Sequence, residues 1–180
     1  MTTSLPTEPR LPLIDTPEDP LARELFGKLA AGRGILNLHR TMAYAPVLMK
    51  ASGDMAMAFR NDALLSRSTA EIVVLRTAQI VDCEYEWKRH VPLAEAAGVS
   101  AQQMAEIDRW RESAAFTPAQ QAALGFAEDA ARIRPVDDAT FAALRQEFSA
   151  REIVELTMLV GLYVSTAILL KTLAVPDERG

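Results

Sequence analysis

The chain has little of what staples, coordinates or steers a protein. It carries one cysteine, Cys83, and two histidines, His39 and His90, in 180 residues. A single cysteine excludes an internal disulfide and any two-thiol redox couple within one chain. Positive charge is also short: 19 Lys and Arg stand against 24 Asp and Glu, for a net charge of -5. The basic residues are scattered, so no nucleic-acid partner is expected. No charged-then-apolar leader opens the chain, which argues against secretion and for a cytoplasmic protein. No stretch of six or so residues alternates apolar and polar, which argues against a sheet. The most apolar run, about Val154 to Val175, is interrupted by Glu155 and Lys171. It reads as a fully buried helix of a bundle rather than as a membrane span, and no membrane partner is expected.

What is present is helical. Hydrophobic residues make up 49%, enough for a real core in a chain of this size. Residues 1–20 hold half of the ten prolines and read as an extended lead-in. Residues 21–180 read as one all-helical domain. Leu21, Leu25 and Leu29 recur along one helix face up to Gly32 and Gly34. A Met- and Ala-rich segment follows, broken near Pro46 or Gly53, with Met42, Met49, Met55 and Met57 as core filling or pocket lining. Ser68 with Glu71, Ser100 with Gln103, Thr117 with Gln120 and Ser149 with Glu152 have capping-box spacing. They mark helix starts, with one helix read across Ala101–Ala115. The expectation is a compact all-α bundle of seven or eight helices. A faint internal echo lays residues 66–75 over 147–156 and matches Glu71 with Glu152.

The chemistry concentrates in one stretch, Glu71 to Gly98, EIVVLRTAQIVDCEYEWKRHVPLAEAAG. Cys83, Glu86 and His90 are three and then four residues apart, which puts them on one helical face. Glu71 approaches from the preceding helix. A carboxylate buried among Val, Leu and Ala is raised towards neutral pH, where an acid–base catalyst works best. His90 would donate the proton, with Glu86 or Glu71 as its partner. Arg76, or less attractively Arg89, could bind a substrate carboxylate, Tyr85 could donate to an anionic oxygen, and His39 is a further polar candidate. Each has a plainer reading: Glu71 as a cap, Cys83 as a small buried hydrophobe, His90 as a satisfied structural histidine, Trp87 as core. Glu84 and Lys88 read as a solvated pair. Cys83, Glu86 and His90 could offer three metal ligands, but three on one helix is a strained set, and no metal is expected.

This stretch resembles the carboxymuconolactone decarboxylase and alkylhydroperoxidase D family. In its thiol peroxidase branch a glutamate is followed by a cysteine, a second cysteine and a histidine at the spacing of Glu71, Cys83, Glu86 and His90. The resemblance is good from about Leu65 to Ser100 and weaker over Arg151 to Val175. It implies an all-helical fold built around a repeated hairpin, and a homo-oligomer, trimer or hexamer. It also exposes a departure. Glu86 stands where the activated thiol of the peroxidases stands, and Cys83 holds the resolving position. The resemblance therefore implies a cofactor-free acid–base enzyme acting on a small, anionic lactone or ring carboxylic acid. The alternatives are a one-cysteine hydroperoxidase using Cys83 and an external thiol, and a non-catalytic helical oligomer.

Overall fold

A computed structural model of the chain describes residues 8–178. Among them are nine α-helices, one 3-10 helix and no strand. The chain divides into two compact units, one running to Ala58 and resuming at Ile168, the other spanning Phe59–Ala167.

The first unit holds α1 (Pro20–Ala30), α2 (Asn37–Met42) and most of α3 (Pro46–Asn61). Asp19 caps α1 by accepting from the Ala22 amide at 3.0 Å, and Pro20 supplies the pre-set first turn. Ala22, Phe26, Ala43 and Met49 form its small core. Met55 and Met57 are exposed, so core filling holds for Met49 and not for them. Residues 8–19 of the lead-in form no helix and are tied down. The Arg10 amide donates to Leu173 O at 2.9 Å, and Tyr44 donates to Pro12 O at 3.0 Å. Residues 1–7 of that lead-in lie outside the described residues.

The second unit carries the chemistry. It is built on α4 (Arg67–Ile80), α5 (Glu84–Ala96), α6 (Ala101–Glu106), α7 (Pro118–Ala130), α8 (Asp138–Glu147) and most of α9 (Ala150–Leu173). Helix α4 is its axis, with Ile72, Val73 and Leu75 inaccessible to solvent. One side of α4 packs Val73 and Val74 with Ala123, Phe126, Leu144, Leu156 and Val160. The other packs Ile72 and Leu75 with Ala94, Ile107, Trp110 and Leu124. A helix apolar on both sides shows no amphipathic stripe, which is what a central helix requires.

Several expectations change. The helix read across Ala101–Ala115 stops at Glu106 and continues as a 3-10 helix, Ile107–Glu112. Arg109 breaks the helical backbone there, and the tighter turn faces Ile107 and Trp110 into the core. The capping boxes at Ser100, Thr117 and Ser149 form as read. The one at Ser68 does not. The cap of α4 is Ser66, which accepts from the Thr69 amide at 3.3 Å. The two caps are thus 83 residues apart, out of step with the echo that paired Ser68 with Ser149. Glu71 lies inside the helix, free of any capping duty.

Helix α9 also departs from its reading. By length and composition it could cross a membrane, and no other described helix passes that test. It is not fully buried: Val154 is 61% and Met158 48% exposed. Its apolar residues run all round, while Leu156, Leu159, Val160, Ala167 and Leu170 are the buried ones.

Candidate active site

The connection between α4 and α5 places the reactive groups. Helix α4 ends at Ile80 with Val81 as its C-cap, and Asp82 adopts a left-handed conformation with φ 51°. Few residues without a glycine's freedom tolerate that region, and aspartate is among those that do. The turn lets the Cys83 amide donate back to Ala78 O at 2.9 Å, and α5 starts at once with Cys83 as its N-cap. Glu86 follows at the third helical position, where side chain and cap are neighbours. His90 stands one further turn along. Gly98, at φ +86°, ends the segment.

Three side chains meet in a buried chain. Glu71 is 2%, Glu86 4% and His90 5% exposed. His90 Nδ1 lies 2.7 Å from Glu71 Oε2, and His90 Nε2 lies 3.5 Å from Glu86 Oε2. The imidazole thus bridges two carboxyl groups, one from α4 and one from its own helix. Tyr163 of α9 stands edge-on to the His90 ring, with centroids 4.8 Å apart. The far oxygen of Glu71, Oε1, accepts from Arg67 Nη2 one turn earlier in α4. Burial pushes the Glu86 carboxyl up from 4.5 to about 7, opposed by the charges of His90 and Arg89. A carboxyl that titrates near neutrality can both give and take a proton there.

Cys83 is 4% exposed yet borders an open depression of about 400 Å³. Arg76, Asp82, Trp87 and Asp108 share that lining, while Glu71, Glu86 and His90 are not part of it. The expected substrate arginine, Arg76, does reach the depression. Its Nε and Nη2 donate to Glu128, however, and its Nη1 to Gln79 Oε1 at 3.0 Å. Glu128 is held further by Trp110 Nε1 at 3.3 Å and Arg111 Nη1 at 2.6 Å. A substrate carboxylate at Arg76 would therefore have to compete with Glu128. Tyr85 is buried at 7% and does not line the depression. His39 belongs to the other unit, where its Nδ1 accepts from the Leu36 amide at 3.0 Å and so closes the start of α2. Glu84 and Lys88 form the exposed pair, at 3.0 Å.

Two partners escaped the sequence reading. Arg67 could have been found, since it stands four residues before Glu71 and helical spacing makes them neighbours. Tyr163 had no such signal, because it arrives from a helix more than seventy residues later.

The model of the carboxymuconolactone decarboxylase family matches residues 46–129, a span that includes Glu71, Cys83, Glu86 and His90. An uncharacterized Escherichia coli protein, YnjA, is 31% identical over 161 residues, covering 88% of this chain and 85% of its own length. The chain belongs to the carboxymuconolactone decarboxylase family. Solved structures share the fold. A peroxidase-related protein from Silicibacter sp. TM1040 superposes with a TM-score of 0.80 at 18% identity, covering 99% of this chain and 96% of that one. The debrominase Bmp8 superposes with a TM-score of 0.79 at 15% identity, covering 92% and 90%. Membership in the family points to an enzyme.

Proposed function

We propose that this family member is a cofactor-free acid–base enzyme in which Glu86 exchanges the proton with the substrate and His90, backed by Glu71, relays it. The observation that carries this reading is the buried Glu71–His90–Glu86 chain, with Glu86 raised to about 7. In the resting arrangement Glu71 accepts from Nδ1–H, so the bare Nε2 faces the Glu86 carboxyl. Glu86 is the third residue of the helix that Cys83 caps, and Cys83 borders the depression where a small organic molecule could bind. In the decarboxylating version, a lactone acid loses CO2 when the carbon–carbon bond to its carboxylate breaks. The electron pair passes to the lactone carbonyl as a dienolate. Glu86 then delivers its proton to the dienolate carbon. The bare Nε2 of His90 takes up a proton from water, giving an imidazolium paired with Glu71, and passes that proton to Glu86. The substrate is a lactone or ring carboxylic acid, and no cofactor takes part.

A second reading rests on a separate observation, the place of Cys83 at the depression. There the thiolate attacks a hydroperoxide oxygen, the O–O bond breaks, an alcohol leaves and Cys83 becomes a sulfenic acid. One external thiol condenses with it to a mixed disulfide with loss of water, and a second releases the Cys83 thiol as the external disulfide leaves. Peroxidase-related and debrominase neighbours lend this reading some weight. The homo-oligomer, trimer or hexamer, belongs to the proposal as well, and the exposed apolar face of α9 supports it.

One paired assay separates the two. Lactones and ring carboxylic acids are screened for CO2 release, and thiol-dependent hydroperoxide consumption is followed alongside, for the parent, Cys83→Ser and Glu86→Gln. The acid–base reading predicts turnover that survives Cys83→Ser and falls about 100-fold or more in Glu86→Gln. Hydroperoxide turnover lost in Cys83→Ser, with sulfenic acid trapped at Cys83, would replace it with the thiol reading.

A further inference from the structure

Glu71 is held by two partners, and the division of its oxygens is informative. Oε2 faces His90 Nδ1 at 2.7 Å, and Oε1 takes a guanidinium hydrogen of Arg67. Both groups of Glu71 are enclosed, with its side chain 3% exposed, while Arg67 keeps 37% of its surface in solvent. A carboxylate in an ion pair only accepts hydrogen bonds. The single hydrogen between Glu71 and His90 then belongs to the ring, on Nδ1. That choice leaves Nε2 as the acceptor that faces Glu86. Remove the cation, and the buried carboxylate loses its charge partner. Glu71 can then take the Nδ1 hydrogen while Nε2 takes the one on Glu86, which reverses the ring and turns Nε2–H towards Glu86.

We propose that Arg67 is a positioning residue, which selects the Nδ1–H tautomer of His90 by pairing with the outer oxygen of Glu71. It touches no substrate. It acts from the protein surface, through one carboxylate, on the direction in which the relay can pass a proton. The groups facing the ring are few. Glu71 comes from α4, Glu86 from α5 with Arg89 beside it, and Tyr163 from α9. Arg67 stands apart from these, paired with Glu71 on the side away from His90. This inference builds on the relay reading of the site, yet its test needs no substrate.

The chain has two histidines, so nitrogen spectra of 15N-histidine-labelled protein are simple to assign. His39 is an internal control, because its Nδ1 accepts from the Leu36 amide and its hydrogen must sit on Nε2. At pH 6.5, where Glu86 still carries its proton, the parent is expected to show opposite tautomers: pyrrole-type Nδ1 for His90 and pyrrole-type Nε2 for His39. In Arg67→Met the His90 ratio of Nδ1–H to Nε2–H falls about tenfold, the scale of one charge-assisted hydrogen bond, while His39 is unchanged. Arg67→Gln, which keeps a donor without the charge, behaves like Arg67→Met, and Arg67→Lys restores the parent pattern. The inference is overturned by a His90 tautomer that stays Nδ1–H in both uncharged variants, or by an Arg67→Lys variant that fails to restore it. A failed activity screen would leave the spectra, and therefore this test, intact.

Discussion

Glu86→Gln is expected to abolish a loss of stability of about 3 kcal/mol that the parent suffers between pH 4.5 and 7, at ~1.4 kcal/mol for each pH unit by which a carboxyl is raised. The direction follows from where the proton resides. Below pH 4.5 the carboxyl is protonated folded and unfolded, and it contributes no slope. Between 4.5 and about 7 the folded chain keeps the proton that the unfolded chain releases, so rising pH draws the equilibrium towards unfolding. Above about 7 both states are ionised and the loss is complete. Burial causes the raised value, so the penalty is that of forming a charge out of water. Glutamine fills nearly the same volume and never ionises. Urea unfolding of both proteins at several pH values checks this. The difference between their stabilities should move in favour of Glu86→Gln from pH 5 to pH 8. Parallel curves would show that Glu86 titrates as an ordinary carboxyl.

His90→Ala has the other large effect, a loss of about 3–5 kcal/mol, the range for breaking one side of a buried polar assembly. The ring links the 2.7 Å contact to Glu71 with the 3.5 Å contact to Glu86, and its edge packs on Tyr163. Truncation leaves a cavity between two carboxyl groups that are themselves almost inaccessible. Arg67 still pairs with Glu71 and limits the damage there. Glu86 loses its ion-pair partner, and only the charge of Arg89 is left to oppose its burial penalty. Denaturant unfolding at pH 7 provides the measurement, with Lys88→Ala as the comparison. Lys88 sits two residues earlier in the same helix in an exposed pair with Glu84, and its loss should leave the midpoint near the parent's. A His90→Ala midpoint equally close to the parent would mean that the ring supports nothing.

Local signals were legible wherever one residue decides the outcome. Pro118 after Thr117 starts α7, Gly98 ends α5, and the break at Val81–Asp82 falls where the helices part. The face shared by Cys83, Glu86 and His90 was readable because helix geometry alone determines it. What the sequence could not show is which oxygen or nitrogen meets which. Glu71 illustrates the limit. Its spacing from Ser68 imitates a capping box, and only the position of the true cap, Ser66, frees it to reach His90. Two serines in competition for one helix start differ by local backbone energies too small to read from residue types. Arg76 illustrates another. Its charge made it attractive as a substrate ligand, but Glu128 lies 52 residues away and claims it. Helix α9 was misjudged for a third reason, since hydropathy measures how apolar a helix is and not how much core faces it.

The protonation of Glu86 itself is the most direct test of the relay. Infrared difference spectra of the parent minus Glu86→Gln, recorded from pH 5 to pH 9, isolate the stretch of one protonated carboxyl. The account predicts a carboxylic acid band present at pH 5 that disappears with a midpoint of about 7. A band already absent at pH 5, with carboxylate absorption in its place, would contradict it and leave Glu86 an ordinary ionised side chain.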